Sequence, residues 1–160
     1  MTGLLERLRL LREQPGEPYP GHWSDALTVA YQQGLAWLGE LQQEADAVAA
    51  RRRRLTVGLN ALPDDARAEA LEQDAGLAAE QRDLLIVRDS LRRHVEELRA
   101  ERALILALPD PAAAARRARA VLTRWQAEPD RLVRQVEPDG YITPQEQPGG
   151  FEQPPGWGQS

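Results

Sequence analysis

The chain has 160 residues, 42% hydrophobic but only 5% aromatic, a balance that suits helices packed through Leu and Ala better than a deep globular core. Its net charge of −5 argues against general nucleic-acid binding, which needs excess positive charge to displace counterions. The absence of cysteine excludes disulfides, thiolate catalysis and cysteine metal sites, and no apolar run approaches the roughly 20 residues that span a bilayer.

Residues 2–13 predict a short amphipathic helix with Leu4, Leu5, Leu8 and Leu11 on one face. Charges recur every few residues in it, so it does not read as a secretory signal. Three prolines and two glycines between Gln14 and Gly21 stop the helix. A much longer helix opens at His22 or Trp23. Its inward positions alternate by four and three residues through Leu27, Tyr31, Gly34, Leu38, Leu41, Ala45, Val48, Arg52, Leu55, Leu59 and Leu62, the spacing of a coiled-coil seam. Pro63 ends it.

Asp64 and Asp65 favour a new helix start, where carboxylates meet the positive end of the dipole. The second long helix runs to about Leu108, with a seam at Ala70, Gln73, Leu77, Glu80, Leu84, Val87, Leu91, His94, Leu98, Glu101, Ile105 and Leu108. A tight turn at Leu62–Pro63 sets Leu27 opposite Leu98, Tyr31 opposite His94, Leu41 opposite Leu84 and Val48 opposite Leu77. Seam meets seam, which predicts an antiparallel hairpin; the same helices paired between chains satisfy the pattern too.

Pro111 to about Ala127 predicts a third helix with Pro at its start. Its apolar face is Ala114, Ala118, Val121, Leu122 and Trp125, and Arg116, Arg117, Arg119 and Arg124 lie elsewhere on it. A second apolar stripe on the first long helix, Trp23, Ala30 and Trp37 with Leu104 alongside, lies at the end away from the turn. The third helix is expected to cover it, with Trp125 near Trp37 or Trp23. The predicted fold is therefore all-α: residues 1–21 an N-terminal helix and linker, 22–127 the hairpin with its third helix, and 128–160 an extended Pro/Gly/Gln-rich tail.

Candidate partner contacts are Asp64, Asp65 and Glu69 at the hairpin tip. Tyr141, Phe151 and Trp157 in the tail, spaced among Pro and Gly, are candidates for anchoring an extended peptide on another surface. The acidic tip resembles factors that push a coiled coil into the secondary channel of RNA polymerase, which implies a transcription regulator; helix capping explains the same carboxylates. Trp37-Leu38-Gly39 is similar to the W-x-G triplet of small secreted helical hairpins, although it lies mid-helix here rather than in a turn. Gln135–Glu146 resembles an EF-hand loop at several positions, but Gln135 stands where the first ligand is Asp, and Gln147-Pro148-Gly149-Gly150 cannot form the helix that must follow.

Arg51-Arg52-Arg53-Arg54 points four ways around a helix and reads as a solvated face paired with Glu69, Glu72 and Asp74. His22 and His94 are too far apart on the hairpin to share a metal, and His94 opposite Tyr31 reads as a polar seam pair. Glu80 and Glu101 read as seam carboxylates, too far apart for acid–base work. No catalytic residue, cofactor or metal is expected. The expected function is a non-enzymatic interaction or assembly protein, a structural component of a large complex such as a phage particle, acting through protein partners or self-association. The expected location is the cytoplasm, or a virion assembled there.

Overall fold

The computed structural model describes residues 3–13, 19 and 21–137. These form helices α1 (Leu4–Glu13), α2 (Trp23–Thr56), α3 (Asp64–Leu106), α4 (Pro111–Gln126) and α5 (Glu128–Arg134), with a 3-10 turn at Leu59–Ala61. Among the described residues there is no strand, and the fold is the predicted all-α hairpin. The helix starts follow local chemistry. His22 caps α2 by accepting the Ser24 N–H at 3.2 Å, and Asp110 caps α4 by accepting the Ala112 N–H at 3.1 Å, ahead of Pro111 at the first turn.

α2 and α3 pack along the predicted faces. Leu27, Gly34, Leu41, Ala45 and Val48 are buried against Leu84, Val87, Leu91, Leu98 and Ile105. The turn differs from expectation. α2 ends at Thr56, not Leu62; Val57 is extended, Gly58 adopts φ 74°, and Leu59 and Leu62 belong to the connection. A left-handed position one residue past a helix C-cap suits glycine, which carries no Cβ to clash. Arg67 holds the connection by donating to the carbonyls of Leu62 (2.9 Å) and Leu59 (3.5 Å). Because residues 57–63 form a wide link, α3 is displaced along α2 by up to about one helical turn relative to a tight turn. Arg88 donates to Gln42, Arg102 to Thr28, and the Val95 side chain lies over Gly34.

The hairpin's base carries a third layer. Trp125 of α4 stacks on Trp37 of α2, ring centroids 6.2 Å apart at 15°, as the second apolar stripe predicts. Gly34 makes the approach possible: a Cβ there would stand 2.7 Å from Val95 Cγ2 and 3.0 Å from Trp125 Cη2. Gln33 Oε1 accepts from both Trp125 Nε1 (3.1 Å) and Tyr19 OH (2.7 Å), which removes the cost of burying those donors. Leu104, expected beside this stripe, is exposed.

The tail begins later than residue 128. Glu128–Arg134 is helical with Pro129 in its first turn, and Leu132 and Val133 are fully buried. Two adjacent apolar residues show no periodicity, so this short helix depends on its packing against α1, α3 and α4. α1 buries Leu4 and Leu8, and its Arg12 grips Glu137 with two bonds of 2.6 and 2.9 Å. The N-terminal helix is thus part of the base. Tyr141, Phe151 and Trp157, and most of the EF-hand-like stretch, lie outside the described residues.

Candidate functional site

The third layer stops partway along the hairpin. On α2 it ends where α1 begins: the Leu4 N–H donates to Glu44 Oε2 at 2.9 Å, and Arg7 pairs with Glu40. Beyond that point α2, the connection and the start of α3 form a two-helix arm. The first twenty residues of α3 alone span about 30 Å. The core thins here. The last buried residue of α2 is Val48, and between Asp64 and Asp83 only Ala70 is buried. Gln73 and Glu80, which the heptads put in the seam, are exposed, and Glu101 is half-buried in an ion pair with Arg117 at 3.0 Å.

The arm's two faces differ. One is bridged: Arg52 donates to Asp74 through Nε at 2.9 Å and to Gln81 through Nη1 at 2.9 Å. The hydrogen bond holds the Asp74 carboxyl below its ordinary pKa and raises that of Arg52. The other face is an open groove of about 530 Å³, with Arg51, Arg54 and Leu55 on one wall and Gln73, Gly76 and Leu77 on the other. A Cβ on Gly76 would meet nothing within 4 Å. Glu69, Glu72 and Glu80 lie four positions from Gln73 or Gly76 and so share that edge of α3. Among the described residues, Arg51, Arg54, Glu69, Glu72 and Glu80 make no ion pair or side-chain hydrogen bond. The pairing expected for the arginine quartet therefore reduces to Arg52 with Asp74. Sequence reasoning missed the groove; its one signal was a glycine at 76 inside a run that otherwise favours helix.

At the tip, Asp64, Asp65 and Glu69 are brought together and exposed. Asp64 pairs with Arg67 at 3.1 Å, and both aspartates sit in the first turn of α3. Val57 stands 79% exposed in the connection beside them.

His94 does not pair with Tyr31 as expected. Its Nε2 lies 2.9 Å from Arg131 Nη2 and its Nδ1 touches Glu128 Oε2. A guanidinium only donates, so Nε2 accepts and Nδ1 carries the proton donated to Glu128. Glu128 is fully buried, and burial pushes its carboxyl pKa up against the opposing pull of His94 and Arg131. The cavity beside this cluster is about 20 Å³, room for roughly one water. The cluster clasps α5 to α3. Among the described residues, no three His, Cys, Asp or Glu side chains are grouped to hold a metal, and no helix is long and apolar enough to cross a membrane.

Comparison with known proteins finds no match: no family model fits the chain, and no characterised protein or solved structure is significantly similar to it.

Proposed function

We propose that this chain is a non-enzymatic interaction or assembly protein, in which a rigid base presents the two-helix arm as a docking surface. The observation that carries the reading is the open groove on one face of the arm, walled by charges that have no partner among the described residues. Charged side chains at a helix surface commonly stay solvated. Here they flank apolar Leu55 and Leu77 and a glycine that leaves room for another backbone, which is the anatomy of a partner site: a small apolar floor with a polar rim. The buried polar cluster of His94, Glu128 and Arg131 serves to fasten the base and leaves no space for a substrate.

The test is site-specific photo-crosslinking in the native source. A photoreactive residue replaces either Gly76 in the groove or Leu104, exposed at the base. Discrete adducts from position 76 and none from position 104 are expected. Equal labelling from both positions refutes the arm as the docking surface.

A further inference from the structure

We propose that the groove of the arm seats one amphipathic helix of a partner protein, apolar on the face turned to the arm, acidic along the flank beside α2 and basic along the flank beside α3. This rests on the arm being a docking surface and adds the chemistry of its partner. The form of the occupant follows from the layers. Nearer the base, helices fill the space on this same face: α1 reaches α2 at Glu44, and α5 reaches α3 at His94. Arg51 stands one heptad beyond Glu44 and Glu80 two heptads before His94, so the groove continues that face. Along the arm it has no such cover among the described residues, and the open groove between two packed helices is a seat for a third. From Ala45 to Thr56 α2 rises about 17 Å, room for a helix of about three turns.

Floor and walls select the side chains of that helix. Leu55 and Leu77 supply an apolar floor, and Gly76 leaves a hole in it, since a Cβ there would meet nothing within 4 Å. A large apolar side chain of the incoming helix fits such a hole as a knob. The walls differ in charge. The α2 wall is basic, through Arg51 and Arg54; the α3 edge is acidic, through Glu69, Glu72 and Glu80. A phosphate backbone, an anionic lipid surface or a helix of one charge on both flanks would satisfy one wall and be repelled by the other. A helix with one acidic and one basic flank gives the charges of both walls an opposite. Turning it end for end exchanges its flanks, so the charges also fix its direction.

The experiment is fluorescence anisotropy on the full chain with three labelled synthetic peptides of about three turns, each with leucines along one face. The first carries glutamates on one flank and arginines on the other, the second glutamates on both, the third arginines on both. The native chain is expected to bind the first on the order of tenfold more tightly than the other two, and less tightly as salt rises. R51E/R54E makes both walls acidic and should move the preference to the arginine peptide; E69R/E72R/E80R makes both basic and should move it to the glutamate peptide. Gly76→Leu should weaken the first peptide while sparing the fold, because the new side chain enters open space. Circular dichroism checks that each variant remains helical. Failure of the first peptide to bind the native chain, equal binding of all three, or a preference unmoved by the reversals overturns the proposal. Crosslinking from position 76 separates it from the reading on which it rests. Adducts with a different protein that the first peptide does not displace leave the docking surface standing and remove the amphipathic helix as its occupant. Adducts with a second copy of the chain, or with the chain's own residues 138–160, name another occupant and overturn the proposal as well.

Discussion

Replacing Trp125 by alanine tests how the base is held. The ring is 4% exposed, stacks on Trp37 and donates to Gln33 at 3.1 Å. Truncating a buried Trp costs about 3–5 kcal/mol, and loss of the aromatic pair is part of that sum. Gln33 keeps its bond from Tyr19, so no buried acceptor is orphaned and the upper end of the range is not required. For a chain of this size each kcal/mol moves the thermal midpoint by roughly 2–4 °C, so a fall on the order of 10 °C is expected. The loss should be local. Hydrogen exchange should quicken across α4 and α5, because α4 loses its anchor on α2, while protection in the arm stays unchanged. Unchanged protection of residues 111–134 would refute the reasoning, since it would mean that the arginine-rich α4 docks without its tryptophan.

Two further outcomes follow from the same geometry. Gly34→Ala should destabilise by about 1–3 kcal/mol, since its Cβ would stand 2.7 Å from Val95 Cγ2 in a packed seam; adding Val95→Ala should recover part of the loss, and urea unfolding of the three variants measures it. Acid should weaken the fold through Asp74 and Glu137, whose carboxyls are held below their ordinary pKa by hydrogen bonds from Arg52 and Arg12. A carboxyl lowered in the folded state binds fewer protons there than when unfolded. Its contribution is therefore complete above the unfolded pKa of about 4 and is lost as pH falls through the folded value. Thermal midpoints measured from pH 5 downward should drop less steeply in Glu137→Gln than in the native chain; parallel curves would remove Glu137 from the account.

What the sequence determined by itself is the set of long helices and their buried faces. Prolines at 63, 109 and 111 cannot continue a helix, and the carboxylates at 64 and 65 favour starting one, so α3 and α4 begin where local chemistry puts them. The four-and-three spacing needs only the helical repeat, and it found the seam of α2 through Val48 and the tryptophan stripe that α4 covers. Periodicity, however, says which way a side chain points and not what stands opposite it. That depends on the connection, where Gly58 in a left-handed conformation ends α2 six residues early and displaces α3 along α2. The consequences were legible only in the tertiary structure. His94 meets Glu128 and Arg131 rather than Tyr31, and Arg52 alone of its quartet pairs with an acid on α3. α5 lies below the length at which helical pattern is readable and is held by Leu132 and Val133 against the base. The groove, too, belongs to the tertiary structure, because a place where a third layer stops exists only once the other layers have been put in place.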